Sequence, residues 1–282
     1  MYRRILLAID AERGADAAMR AVAQLATASH AEVLVVHVRD IEYGLRTRYE
    51  DRHLVDHVVD RLRDAGVAAR GEVRTISNGD VADTLVDSAG RFGADVIAMG
   101  SHGRSELGGL LLGTVGQGVA SRTGCAVMLV HGDLSRPSRR WPDRIERILL
   151  AVDRNEMCDH AVRAARELAR QHGAGVVVQY VDPALSSVSS AQRFVADIVR
   201  RLRAEGVRAR SAGLAGMGGV AFQIATEANR IDADVIVVGA RRRRDLPALL
   251  LGSVTRELVR RTTRPVLLAE TAERREAVAA AT

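Results

Sequence analysis

The chain contains no lysine: all 41 of its basic residues are arginines. A compositional preference for arginine produces that without selection for a ligand. The formal net charge of +6 therefore points only weakly to phosphates, nucleic acid or anionic membrane as partners. Aromatic side chains make up 3%, with Trp141 the single tryptophan, which argues against a base-stacking surface for single-stranded nucleic acid. The two cysteines, Cys125 and Cys158, have no CxxC or Cys/His ligand spacing around them, so neither a structural zinc nor a disulfide framework is expected. No apolar run approaches the ~20 residues that cross a bilayer, and Met1-Tyr2-Arg3-Arg4 leads into a short strand-like run, not a signal peptide's apolar core. A cytoplasmic location without a membrane partner is the expectation.

What the chain does contain is a repeat. At 282 residues, 47% of them hydrophobic, it can bury two cores of ordinary domain size. Ile5-Leu6-Leu7-Ala8-Ile9-Asp10 recurs as Ile148-Leu149-Leu150-Ala151-Val152-Asp153, 143 residues on. Ala94-Asp95-Val96-Ile97 recurs as Ala233-Asp234-Val235-Ile236, and Leu111-Leu112-Gly113-Thr114-Val115 as Leu250-Leu251-Gly252-Ser253-Val254, both 139 residues on. The second copy is shorter by a net four residues between these blocks.

Within each copy, short apolar runs alternate with stretches of helical period. Ala18, Ala21, Val22 and Leu25 keep the i, i+3, i+4, i+7 spacing of a buried helix face, repeated by Ala161, Ala164, Ala165 and Leu168. Val55, Val58, Val59 and Leu62 are matched by Val195, Ile198, Val199 and Leu202. The runs Ile5 to Ile9, Val33 to Val38, Val96 to Met99 and Val127 to Val130 are continuously apolar, as strands buried on both faces of a parallel sheet are. The pattern predicts an α/β fold of two tandem, doubly wound, five-stranded parallel-sheet domains with right-handed crossovers. Domain one is placed at residues 1–132, a linker at 133–143, domain two at 144–270 and a charged, alanine-rich tail at 271–282. Edge strands around Val127 to Val130 and Val266 to Leu268 are expected to pair about a pseudo-two-fold axis as an intramolecular pseudo-dimer, because an unpaired apolar edge invites association. A homodimer of whole chains is left open.

Between the fourth strand and fourth helix of copy one stands Gly100-Ser101-His102-Gly103, then nine residues, then Gly113-Thr114-Val115. In an open parallel sheet, ligands sit beyond the carboxyl ends of the strands where strand order reverses. A glycine loop there lets backbone N–H groups approach phosphate oxygens, and a helix starting near Thr114 adds orphan amides and a partial positive charge. A triphosphate can be cradled this way without lysine, with the Thr114 hydroxyl as a further donor. The spacing G-x2-G-x9-G-[S/T], with Asp10 ending the first strand and His37-Val38 ending the second, resembles the ATP-binding members of the universal stress protein family. The resemblance covers residues 3–131 and again 145–270. It implies that Asp10 holds the adenosine, that the Val38 backbone reads the adenine edge, and that Gly100, Gly103, Gly113, Thr114 and Val115 line the ribose and phosphate path. ATP is the implied cofactor, with Mg²⁺ as a candidate companion; glycines serving only a tight turn are the alternative.

Copy two keeps Asp153, Gly239, Gly252, Ser253 and Val254, with Val181 at the position of Val38. The second glycine is Arg242, inside Arg241-Arg242-Arg243-Arg244, and His37 is replaced by Tyr180. Arg242 either obstructs close backbone approach or clamps phosphate from the side, or belongs to a plain solvated charge run. His53 and His57 have an i, i+4 metal spacing, but a solvent-facing helix surface is the stronger reading, and His102 and Cys158 are expected as a loop residue and a free thiol. Neither a Ser/His/Asp order nor a Gly-x4-Gly-Lys-[Ser/Thr] loop is present, and phosphoryl transfer would need a metal site and an acceptor. The expectation is an ATP-binding stress-response module, not a conventional enzyme, with slow incidental hydrolysis left open. Its rivals are a nucleotide-free interaction protein of the same fold and an arginine-driven anion or nucleic-acid binder, nucleic acid being disfavoured.

Overall fold

A computed structural model describes residues 2–10, 15–42, 47–101, 113–131, 144–154, 158–180, 188–212, 219–239 and 252–269. Copy one runs β1 (Arg4–Ile9), α1 (Ala15–Ser29), β2 (Glu32–Asp40), α2 (Arg48–Asp64), β3 (Ala68–Ile76), α3 (Val81–Phe92), β4 (Val96–Gly100), α4 (Thr114–Arg122) and β5 (Ala126–Val130). Copy two repeats it as β6 (Arg147–Val152), α5 (Cys158–His172), β7 (Gly175–Tyr180), α6 (Val188–Ala204), β8 (Ala209–Ser211), α7 (Val220–Arg230), β9 (Val235–Gly239), α8 (Ser253–Arg261) and β10 (Val266–Ala269). The segments assigned to linker and tail, 133–143 and 271–282, lie outside the described residues.

The strands form one sheet in the order β3-β2-β1-β4-β5-β10-β9-β6-β7-β8. Within each copy neighbours are parallel, and the order reverses between β1 and β4 and between β6 and β9. The copies meet where β5 and β10 pair antiparallel, with Leu129 opposite Val266, Met128 opposite Leu267 and Val127 opposite Leu268. This is the junction expected from the two apolar edges, and antiparallel pairing of equivalent strands is what a pseudo-two-fold axis requires.

Side-chain alternation divides the interior into two layers. Ile5, Leu7 and Ile9 pack beneath α1 and α2, whereas Leu6 and Ala8 face α3 and α4. Both layers run across the junction: Met128 and Leu267 join the first, Val127, Leu129, Val266 and Leu268 the second. Because both faces are covered, the strands read as unbroken apolar runs. The aspartate of the repeated Ala-Asp-Val-Ile block has a structural task. Asp95 accepts from the Arg3 and Arg4 amides at 2.7 and 2.9 Å, and Asp234 from the Glu146 and Arg147 amides at 2.7 and 2.8 Å. Each fastens the start of its copy's first strand to the strand across the reversal.

One element departs from the sequence expectation. Strand β2 does not stop at Val38 but continues to Asp40, because Arg39 and Asp40 pair with Thr75 and Ile76 of β3. The counterpart edge strand β8 is only three residues long. No helix among the described residues is long and apolar enough to cross a membrane.

Candidate functional site

Where the strand order reverses, α1 packs on one face of the sheet and α4 on the other, the arrangement that in open α/β sheets leaves a crevice beyond the carboxyl ends of the strands. In register, Ala8 lies opposite Met99 and Ile9 opposite His37, so Asp10, Ser101 and Val38 follow at the rim. Asp10 is exposed there, and Val38 and Gly100 are half-buried. A methyl group on Gly100 would meet no atom within 4 Å among the described residues. Packing among the described residues does not demand glycine at this position.

Ser101 fastens the loop that follows. Its N–H donates to the Val130 carbonyl at 2.8 Å, and its own carbonyl accepts from the Gly113 N–H at 3.3 Å. The two ends of the loop are thus tied together and to β5. Helix α4 begins at Gly113, with φ −57° and ψ 153°, and no side chain caps it. First-turn amides and the positive end of a helix dipole favour an anion at such a start. Thr114 is exposed and Val115 half-buried in that turn. His102 and Gly103 lie outside the described residues.

The His37 side chain turns away from this rim. Its Nδ1 donates to the Ile9 carbonyl at 3.0 Å, and its Nε2 lies 3.4 Å from Oδ1 of Asp51 in α2. The Arg39 Nε stands 3.3 Å from the other oxygen of Asp51, which is 1% exposed. This cluster ties β1, β2 and α2 together directly below Val38, a positioning role that sequence reasoning missed. A signal was present: Thr47-Arg48-Tyr49-Glu50 is a capping box, with Thr47 Oγ1 accepting from the Glu50 N–H and the Glu50 carboxylate from the Thr47 N–H. It starts α2 at Arg48, three residues before Asp51, and so places that carboxylate in the first turn.

In copy two, Asp153 is half-buried after β6, Gly239 ends β9, and Gly252 starts α8 without a side-chain cap, followed by exposed Ser253 and Val254. Its rim differs from the first. Tyr180 meets Phe194 edge to face at 5.6 Å, and the Arg154 guanidinium lies 5.9 and 5.6 Å from the two ring centroids. A cation–aromatic stack therefore stands beside Asp153, where copy one has the His37 cluster. Val181 and Arg242 lie outside the described residues. Elsewhere, His53 and His57 are on the exposed side of α2, the former edge-on to Tyr49 at 4.4 Å. Burial pushes the Cys158 thiol up to about 11, with the Asp159 and Asp153 carboxylates adding and Arg201 opposing, so it stays protonated at neutral pH.

The model of the universal stress protein family matches residues 1–131 and 144–270. A universal stress protein of Mycolicibacterium smegmatis is 25% identical over 293 residues, covering 94% of this chain and 96% of that one. Another, from Thermus aquaticus, is 32% identical over 147 residues, covering 46% of this chain and 100% of that one. A solved structure of a universal stress protein from Archaeoglobus fulgidus has the same fold, with a TM-score of 0.75 at 21% identity over 95% of this chain and 98% of that one. Matched in both halves and joined by one antiparallel strand pair, the chain belongs to the universal stress protein family as a tandem two-domain member.

Proposed function

We propose that the chain binds an adenine nucleotide, ATP, in the crevice of copy one and acts as a cytoplasmic stress-response module whose conformation or partner choice the nucleotide sets. The observation that carries this reading is the meeting at the β1/β4 reversal of Asp10, a glycine loop fastened at both ends through Ser101, and the uncapped start of α4. Asp10 accepts from the adenosine hydroxyls and the Val38 backbone faces the adenine edge. The amides of Gly100, Gly103, Gly113 and Val115, with the Thr114 hydroxyl, take the phosphates. A Mg²⁺ ion arriving with the triphosphate would neutralise charge that the partial helix charge offsets only in part. These are the roles of a holder, not of a general base, so occupancy and not turnover carries the signal.

Asp153, Val181, Gly239, Gly252, Ser253 and Val254 form the corresponding cradle of copy two, which we assign a weaker or purely structural part because Arg242 replaces the loop glycine. The test is a calorimetric titration of the full chain with ATP. Asp10→Ala is expected to weaken binding about ten- to hundredfold, the loss of a charged hydrogen-bond acceptor. Gly103→Arg is expected to weaken it too, while Arg242→Gly leaves or improves any binding in copy two. Unchanged affinity in folded Asp10→Ala rejects the assigned crevice.

A further inference from the structure

In copy one, the first turn of α3 and the neighbouring side of α4 neutralise each other. Asp80 caps α3, accepting from the Ala82 and Asp83 amides at 2.7 and 3.3 Å, and Arg122 of α4 lies 3.0 and 3.1 Å from the Asp80 and Asp83 carboxylates. One guanidinium faces two carboxylates, a balance of minus one. Copy two keeps the arginine as Arg261 but has Gly219 and Phe222 where those carboxylates stood. It adds Arg256 and Arg260 at the positions of Gln117 and Ser121. Glu257 is a single carboxylate shared by Arg260 and Arg261. The balance at the same place in the fold has been reversed to plus two.

These residues are not a flat charged face. They line a cleft of about 570 Å³ between α7 and α8, into which Gln117 reaches from α4 across the junction of the copies. That volume is in the range of small-molecule sites. Phe222 is 49% exposed in it, with the Arg261 guanidinium 5.9 Å from its ring centroid. Helix α7 begins at Gly219 with no side-chain cap. Yet a Cβ at Gly219 would meet nothing within 4 Å, and its φ of −67° suits any residue. An aspartate fits there, as in copy one, and would add stability. The chain forgoes that cap at a place where its carboxylate would occupy the arginines.

We infer that the α7/α8 cleft binds a small phosphorylated organic molecule, with its phosphoryl group on Arg256, Arg260 and the first-turn amides of α7 and its apolar part on Phe222 and Val254. Guanidinium forks match phosphate oxygens, and the exposed aromatic face supplies the apolar contact. The cleft shares Ser253 and Val254 of the first turn of α8 with the cradle proposed for copy two, but its arginines, Phe222 and the start of α7 lie outside that cradle, and the inference does not depend on the nucleotide reading above.

The probe is phenyl phosphate, titrated calorimetrically into the full chain at fixed ionic strength in a phosphate-free buffer, with inorganic phosphate for comparison. Saturable one-to-one binding, tighter for phenyl phosphate than for inorganic phosphate, is expected. Arg256→Gln should weaken it tenfold or more. Gly219→Asp should weaken it similarly while the urea midpoint stays at or above the parent's. Asp10→Ala and Asp153→Ala should leave it unchanged. The inference is overturned by absence of saturable binding, or by unchanged affinity in both Arg256→Gln and Gly219→Asp. It is equally overturned by loss of binding in Asp10→Ala or Asp153→Ala, which would put the phosphate in a strand-end crevice.

Discussion

His172 closes α5 inside the core, 6% exposed, its Nδ1 accepting the Ile145 N–H at 3.4 Å. Burial disfavours the imidazolium and pulls its pKa from 6.5 down to about 4. The folded chain therefore holds a neutral ring at a pH where the unfolded chain has already taken up a proton. Stability is full above pH ~6.5 and falls as pH drops towards ~4, by about 1.4 kcal/mol per pH unit and about 3 kcal/mol in all. Copy one supplies the control. Its residues at the equivalent positions are Tyr2 and Ser29, both buried, so the large residue sits on the strand side and the small one on the helix. Ile145 and His172 reverse those sizes. The double variant Ile145→Tyr/His172→Ser exchanges the volumes and removes the titration, and the new hydroxyl has the Leu168 carbonyl to bond, as Ser29 bonds Leu25 at 2.7 Å. Urea unfolding of both proteins at pH 7.5, 6.5, 5.5 and 4.5 isolates the effect, since the carboxylates titrate in both and cancel in the difference. The parent should lose stability relative to the variant by about 1.4 kcal/mol for each pH unit below 6.5. A difference that stays flat within about 0.5 kcal/mol across the range refutes the reasoning.

Leu267→Ala, at a fully buried position opposite Met128, should cost about 2–5 kcal/mol and shift one common urea transition; a transition that splits and leaves copy one unmoved would show that the layers are not shared. Burial pushes the Asp80 carboxyl up, but the Ala82 and Asp83 amides and Arg122 outweigh it and hold it below its usual range. Asp80→Ala should therefore cost about 1 kcal/mol at pH 7, a difference lost as pH falls below the ordinary carboxylate range and read by the same unfolding assay. Cys158 should react with iodoacetamide at pH 8 about a hundredfold more slowly than an unperturbed thiol, and equal rates would contradict its raised pKa.

The parts of this fold legible in the sequence are those where burial leaves no choice. Ile5 to Ile9 and Val96 to Met99 are covered on both faces, so nothing polar is tolerated and the runs announce themselves. The end of β2 was not legible, because Arg39 and Asp40 are polar residues held by pairing to the edge strand β3, whose Arg70, Glu72 and Arg74 carry no apolar signature. The direction of His37 was available in principle. It is two residues beyond Val35 and so shares that residue's face, towards α2 and away from α3 and α4. What no single stretch of sequence reveals is the contact between α3 and α4, or α7 and α8, on which the contrast between Asp80 and Gly219 depends.

That contrast belongs to a wider division of labour. Much of what holds the sheet together recurs in both copies: the apolar runs of β1 and β6, β4 and β9, and β5 and β10, Asp95 and Asp234, and apolar faces on α1 and α5. Positions that differ in chemistry include Gly103 and Arg242, His37 and Tyr180, Asp80 and Gly219, and the buried pair Ser29 and His172. Two copies joined through β5 and β10 each satisfy the other's exposed edge, so both must keep the fold. Only one must keep any particular ligand. A second copy under that constraint is free to exchange a cap for an open cluster of arginines, since the antiparallel junction and the two shared layers, and not the first turn of α7, hold it in place.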